Sequence, residues 1–216
     1  MAQSAFLARF AATRLSGRLV LLGLILASSG VELVLQGADH GLWGSVLWRG
    51  MAYQYGGFWA GLLRDWRPNY ALQPGMMFLT YSLLHAGLGH LAGNMISLAL
   101  LGQMVTDRIG GRGLFWLYAV SALGGALGFG LLSHSPAPMI GASGAIFGLA
   151  GALTVWSARR RRQWVRVPLI MLALAGLNLV IWVLQAGNLA WQAHLGGFLT
   201  GACFAVYPRS LAKTRS

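Results

Sequence analysis

Apolar segments separated by short polar breaks make up most of this 216-residue chain. A transmembrane helix needs roughly 20 mostly apolar residues, and six segments reach that length or come close to it. These segments comprise residues 18–36, 85–105, 114–133, 140–157, 167–186 and 190–207. The pattern predicts an all-α, polytopic membrane protein with six transmembrane helices. The membrane domain would cover residues 18–207, between a short N-terminal segment, 1–17, and a C-terminal tail, 208–216.

The composition of the chain also indicates a membrane protein. Hydrophobic residues make up 56% of the sequence and charged residues only 9%, whereas soluble domains carry about 25% charged residues. A net charge of +12 is also typical of proteins that bind nucleic acid. Here, however, the basic residues fall between the apolar segments. The lipid bilayer is therefore the expected partner, and nucleic acid is not.

The basic residues orient the six segments, because cytoplasmic loops of membrane proteins are enriched in arginine and lysine. With six spans, both ends and the even-numbered loops share one side, and 13 of the 16 basic residues lie there. The other three are Arg49, Arg64 and Arg67. Both termini are therefore predicted to be cytoplasmic. The first segment also has features of a signal peptide, but its removal would leave five spans and disrupt the charge pattern, so a retained anchor is favoured.

The longest stretch between predicted spans, residues 37–84, is crowded with tryptophan and tyrosine. Both residue types favour the membrane–water interface. We therefore expect a partly helical loop that lies in the outer headgroup region rather than a separate soluble domain.

The sequence excludes two kinds of intramembrane hydrolase. It lacks the His-Glu-x-x-His motif of a zinc protease. An aspartyl enzyme needs two intramembrane aspartates, and none of the four acidic residues lies deep in a segment. His85 and His90 have no nearby acidic or thiol partner for a metal site. No metal or other cofactor is therefore expected, and serine chemistry remains.

The candidate serine is Ser143, which lies in Gly141-Ala142-Ser143-Gly144 at the predicted start of the fourth helix. Helix N-termini present free N–H groups and positive potential, and both would stabilise an oxyanion formed at this serine. Gly141 and Gly144 would let another backbone or a substrate come close. Taken alone, however, this stripe of small residues is also typical of helix packing in membranes.

A histidine in the sixth segment strengthens the catalytic interpretation. His194 is followed by Gly197 and Gly201, a spacing that lets the sixth helix pack against the small-residue face of the fourth. Both helices would run from the outer face inward, so Ser143 and His194 would lie at matching depth. A neutral imidazole could then accept the serine proton. The alternative is a core histidine that is hydrogen-bonded to a backbone carbonyl.

Two further polar side chains fall in the outer half of the second segment. His90 and Asn94 are four residues apart and therefore share one helix face. Each can donate a hydrogen bond, so with the Ser143 backbone N–H they are candidates for an oxyanion hole. The alternative is that they form polar contacts between helices. His85, five residues before His90, is interpreted as a structural residue that holds the first loop.

These motifs, in this order and on these segments, resemble those of the rhomboid intramembrane serine proteases. The resemblance covers roughly residues 18–207, and the residues that carry it are Gly141, Ser143, Gly144, His90, Asn94, His85, Ala193, His194, Gly197 and Gly201. It implies a rhomboid-like six-helix bundle and a Ser143–His194 dyad without an acidic third member. It also implies an aromatic residue that packs on the histidine, and Phe147 stands where the family often has tyrosine.

One departure from the family concerns the first loop. Many bacterial members carry Trp-Arg shortly before the second span, where this chain has Met76-Met77. Its Trp-Arg pairs lie further upstream, at Trp48-Arg49 and Trp66-Arg67.

The resemblance implies an intramembrane serine endopeptidase that cleaves transmembrane protein substrates near the outer membrane boundary. The fifth helix and the Gly187-Asn188 loop are candidate gates, and Asn178 on that helix is interpreted as a polar contact between helices. The short loops suggest a bacterial form in the inner (cell) membrane. Two alternatives remain open: a catalytically silent rhomboid-like protein that binds transmembrane clients, and a small transporter.

Overall fold

The structure is a computed structural model that describes residues 2–184 and 189–206. Within those residues the chain forms seven α-helices and short 3₁₀ turns at Ala60–Leu63, Tyr81–Leu83 and Trp164–Arg166. The helices are α1 (Ala2–Asp39), α2 (Trp48–Gly56), α3 (Gln73–Thr80), α4 (Leu88–Leu132), α5 (Ser143–Arg161), α6 (Val167–Leu184) and α7 (Trp191–Val206). The all-α fold class predicted from the sequence is confirmed. The Gly187-Asn188 loop lies outside the described residues.

Two helices are long and apolar enough to cross a membrane, judged by length and composition. One is the Ser16–Asp39 part of α1, and the other is α4, which has 45 residues. The second and third predicted spans correspond to the two ends of α4. α5 has 19 residues, the last of which are arginines, and α7 has 16. Both are shorter than the roughly 20 mostly apolar residues that a transmembrane helix needs. The count of six spans therefore stays a prediction.

α4 reverses direction at Gly110, whose φ of 72° and ψ of 177° are not helical. A Cβ on Gly102, before the kink, would lie 3.8 Å from Cδ1 of Leu114, after it. Twelve residues of straight helix would separate these positions by about 18 Å. The two arms of α4 therefore fold back on each other, and Gly110 supplies a conformation that L side chains rarely adopt.

α5 and α7 pack with their backbones in direct contact, which is the arrangement that their small-residue faces predict. A Cβ on Gly197 would lie 1.9 Å from the carbonyl oxygen of Gly144. One on Gly201 would lie 1.9 Å from the carbonyl oxygen of Gly148. Close approach of this kind is how transmembrane helices gain packing energy without a hydrophobic driving force. It also holds the first turn of α5 against α7.

The loop over residues 37–84 is partly helical, as predicted, since it contains α2 and α3. Arg49, at the start of α2, attaches it to the helical bundle. Its Nη2 lies 2.9 Å from Oε1 of Glu32 and its Nε lies 2.6 Å from Oδ2 of Asp39. Its Nη1 also donates to the His85 carbonyl at 3.1 Å. Hydrogen bonding to Glu32 raises the pKa of Arg49 above its usual value, so this guanidinium stays charged. Arg49 of the upstream Trp48-Arg49 pair therefore has a structural role, which is to attach the loop to α1 and to the start of α4.

Replacing Arg49 by leucine is expected to lower thermal stability, because it leaves the Glu32 carboxylate buried without a positively charged partner. The Glu32 side chain is 0% exposed and that of Arg49 is 19% exposed. Breaking a buried ion pair from one side typically costs about 3–5 kcal/mol. Unfolding of the detergent-purified protein, followed by circular dichroism, would measure the effect.

Two further variants make this test specific to the ion pair. Adding Glu32→Gln to Arg49→Leu should recover part of the lost stability, because the buried charge is then removed. Arg67→Leu is the matched control, since Arg67 is exposed. If Arg49→Leu and Arg67→Leu unfold at the same temperature, Arg49 does not anchor the loop.

Candidate active site

Ser143 is the first residue of α5, and a sharp turn delivers the chain to it. Gly141 has a φ of 121°, and its N–H donates to the Tyr81 carbonyl at 2.9 Å. A Cβ at Gly141 would lie only 2.9 Å from Cε1 of His90, so both the conformation and the space require glycine. Because Ser143 lies in the first turn, its backbone N–H is among those that have no partner within the helix.

His194, in the first turn of α7, reaches this serine. Its Nε2 lies 2.8 Å from the Ser143 Oγ, although the two residues are 51 apart in the chain. The His194 side chain is buried, and only 4% of the residue is exposed. The alternative was a core histidine hydrogen-bonded to a backbone carbonyl. The contact with the Ser143 Oγ does not agree with that alternative.

Two side chains hold the imidazole of His194 from other directions. The Phe147 ring stacks on it with a centroid separation of 4.2 Å and an interplanar angle of 4°. Asn178 on α6 contributes Oδ1, which lies 2.5 Å from the His194 Nδ1. This is a polar contact between helices, as the sequence predicted for Asn178, but the sequence did not identify His194 as the partner. The available signal was a lone amide in an otherwise apolar helix, which is costly in a membrane unless it has a partner.

His90 and Asn94 border the same space from α4. The His90 ring lies against Gly141, and its Nδ1 accepts a hydrogen bond from the Ala86 N–H at 3.3 Å. The Asn94 side-chain amide donates to the His90 carbonyl at 2.9 Å. A cavity of about 1050 Å³ is lined by both of these residues together with Ser143 and His194.

His85 is fully buried, and its ring packs edge-on against His90 with centroids 5.2 Å apart. Its backbone carbonyl accepts a hydrogen bond from the Tyr53 hydroxyl at 2.8 Å and another from Arg49 at 3.1 Å. These contacts connect the loop over 37–84 to the start of α4.

Among the described residues, no cluster of three or more His, Cys, Asp or Glu side chains is suited to a metal ion. The arrangement of Ser143 and His194 instead fits nucleophilic chemistry, since an imidazole nitrogen within hydrogen-bond reach can activate a serine hydroxyl.

Comparison with known families identifies the class of protein. The model of the rhomboid domain matches residues 73–210 of this sequence, which is more than half of the chain. The chain belongs to the rhomboid family, whose members are integral membrane proteins.

Several relatives share this region. The chain is 34% identical over 145 residues to RHOMBOID-like protein 2 of Arabidopsis thaliana, which covers 64% of this chain and 44% of that protein. It is 33% identical over 143 residues to Rhomboid protease GluP of Bacillus subtilis, which covers 62% of this chain and 26% of that protein. An uncharacterized protein of Mycobacterium bovis is 35% identical over 133 residues, with 57% of this chain and 55% of that protein covered. The chain therefore spans about half the length of these relatives or less.

Proposed function

We propose that this protein is an intramembrane serine endopeptidase with Ser143 as nucleophile and His194 as general base. The observation that carries the proposal is the 2.8 Å separation between the Ser143 Oγ and the His194 Nε2 in a buried site at a helix N-terminus. Membership of a family that includes the Rhomboid protease GluP supports it. Neither the serine nor the histidine is replaced, as it would be in a catalytically silent relative.

The proposed oxyanion hole consists of the Ser143 backbone N–H, His90 and Asn94. Since the His90 Nδ1 accepts a hydrogen bond from the Ala86 N–H, the neutral ring carries its proton on Nε2. That nitrogen lies beside Gly141, where a Cβ would be 3.0 Å from it and 3.8 Å from the Ser143 Oγ. Asn94 has two amide hydrogens and uses one for the His90 carbonyl. The other is available for the substrate.

The reaction would proceed by two acyl transfers. The Ser143 oxygen attacks the scissile carbonyl carbon while its proton passes to the His194 Nε2. When the C–N bond breaks, the imidazolium returns that proton to the leaving amine, and the carbonyl fragment remains as an ester on Ser143. A water molecule then attacks the ester with His194 again as base, which releases the carboxylic acid and restores the hydroxyl.

The substrate would be a transmembrane segment that unwinds locally, because a peptide bond within a helix is hydrogen-bonded and shielded by its neighbours. Segments with Gly, Ala or Ser near the outer membrane boundary are the expected substrates, since glycine is a weak helix former and small side chains shield the peptide bond least. The proposed orientation has both termini in the cytoplasm and the active site towards the outer face of a bacterial inner membrane.

The detergent-purified protein tests this function directly. It would be mixed with a single-span test substrate that carries Gly-Ala at its outer boundary, and mass spectrometry would locate the cleavage. We expect two fragments whose new ends map to that boundary. We also expect covalent labelling of Ser143 by a fluorophosphonate probe. A protein that binds the substrate but neither cleaves it nor takes up the probe would be the silent client-binding protein instead.

Alanine at His90 or at Asn94 is expected to lower kcat by about 10²–10³-fold, because each change removes one donor from the oxyanion hole. KM should change little, since the donors act mainly on the charge that develops in the transition state. Steady-state cleavage of the test substrate measures both constants. Ser97→Ala is the matched control, because Ser97 lines the same cavity while its hydroxyl bonds back to the Gly93 carbonyl. Wild-type kcat in both alanine variants would remove His90 and Asn94 from the proposed mechanism.

A further inference from the structure

Asn178 makes two hydrogen bonds that together define how its amide is oriented. Its Nδ2 donates to the Leu174 carbonyl, one turn earlier in α6, at 2.9 Å. A carbonyl can only accept, so the nitrogen end of the amide must face Leu174. The oxygen end therefore faces the His194 Nδ1, at 2.5 Å. The usual ambiguity between amide oxygen and nitrogen is resolved by the chain's own backbone.

This orientation determines the tautomer of His194. An amide oxygen has no hydrogen to donate, so the Nδ1 of a neutral imidazole must carry the proton in this bond. The Nε2 then presents its lone pair to the Ser143 hydroxyl at 2.8 Å. The opposite tautomer would put a hydrogen on Nε2 and could not accept the serine proton. Stacking on Phe147 holds the ring plane, but a ring face does not distinguish the two nitrogens.

We propose that Asn178 is a positioning residue that keeps His194 in the tautomer and ring orientation needed to activate Ser143. This proposal rests on the proposed protease function. It assigns to an amide on α6 the orienting task that a buried carboxylate performs in serine triads. Because the amide is neutral, it orients the imidazole and adds no charge that would stabilise the imidazolium.

The placement of Asn178 also connects the active site to α6. A second cavity of about 560 Å³ is lined by α5, α6 and α7, including Phe147, Met171 and Phe198, so α6 is not closely packed against its neighbours there. Its other faces are open, with Leu172 69% and Leu179 61% exposed. A displacement of α6 would therefore break the Asn178–His194 bond.

Substitutions at Asn178 test the proposal by activity. Asn178→Leu keeps the branching at Cγ and removes the acceptor, and Asn178→Asp keeps an acceptor oxygen towards Nδ1. We expect Asn178→Leu to lower kcat by about 10–100-fold, by analogy with partners that orient metal-ligating histidines, with KM within about twofold. Asn178→Asp should retain most of the wild-type kcat. Leu172→Ala, on the exposed face of the same helix, is the control and should behave like the wild type.

Nitrogen-15 NMR of histidine-labelled protein tests the tautomer without any requirement for activity. The His194 signal is assigned by its loss in His194→Ala. In the wild type it should show a protonated Nδ1 and an unprotonated Nε2, and in Asn178→Leu it should move towards a mixture of tautomers. Wild-type kcat and an unchanged tautomer in Asn178→Leu would overturn the inference and leave the protease proposal standing.

Two other outcomes are also decisive. An equal loss of kcat in Asn178→Leu and Asn178→Asp with the wild-type tautomer retained would make Asn178 a packing residue and overturn the inference. A wild-type protein that neither cleaves nor reacts with fluorophosphonate would defeat the proposed function, whereas the NMR signals would still report on the Asn178–His194 bond.

Discussion

Replacing Ser143 by alanine is expected to abolish cleavage of a transmembrane substrate while leaving the fold unchanged. The variant loses the only oxygen that lies within hydrogen-bond distance of the His194 Nε2 among the described contacts. Loss of the nucleophile or of its base in soluble serine proteases lowers kcat by about 10⁶-fold. We expect a similar loss for His194→Ala. The double variant should be no worse than either single one, because the two groups act as a unit.

The matched control for this experiment is Ser135→Ala. Ser135 lines the same cavity but is exposed, and its hydroxyl accepts a hydrogen bond from the Ala137 N–H. It should cleave the substrate and react with a fluorophosphonate as the wild type does. All variants would be compared at equal folded concentration, verified by circular dichroism. Residual cleavage above about 1% of wild type in both Ser143→Ala and His194→Ala would exclude the dyad, given the size of the loss expected.

The strongest sequence signals came from residues whose chemistry is unusual in their surroundings. A serine between glycines at the start of an apolar helix, and a histidine beside Gly197 and Gly201, pointed to two helices in close contact. The contact between Ser143 and His194 agrees with that expectation. The length of the apolar segments likewise indicated the all-α fold, because runs of this length are typical of helices that cross a membrane.

The features that escaped the sequence depend on three-dimensional position. Nothing in the α6 sequence states which way Asn178 faces, so its contact with His194 could not be distinguished from any other polar contact between helices. The sequence predicts two helices on either side of Gly110, which agrees with the two arms of α4, but a single glycine does not show that these arms fold back on each other. The sequence placed Arg49 on the outer side and in an upstream Trp-Arg pair, but it did not identify its partners Glu32 and Asp39, which come from another helix.

Replacing Gly197 by alanine is expected to destabilise the protein and to disable the dyad, because Gly197 lies at a close backbone contact between α5 and α7. The added Cβ would lie 1.9 Å from the Gly144 carbonyl oxygen and 2.8 Å from its carbon, both closer than the 3.0 Å limit that real Cβ atoms respect. Both obstructing atoms belong to backbone, so no side chain can rotate away and α5 must separate from α7. Overpacking costs about 1–3 kcal/mol where side chains can adjust, and we expect at least the upper end here.

The same separation would act on catalysis, because Gly144 follows Ser143 directly and Gly197 is three residues after His194. A misplacement of about 1 Å between reacting groups can cost about 10²-fold in rate, so Gly197→Ala should lose activity even at temperatures where it remains folded. Gly23→Ala is the matched control, since a Cβ there meets nothing within 4 Å and alanine is the better helix former by about 1 kcal/mol. Thermal unfolding in detergent and kcat for the test substrate would be measured on both. If Gly197→Ala matches Gly23→Ala in both measurements, the backbone contact between α5 and α7 does not determine the Ser143–His194 distance.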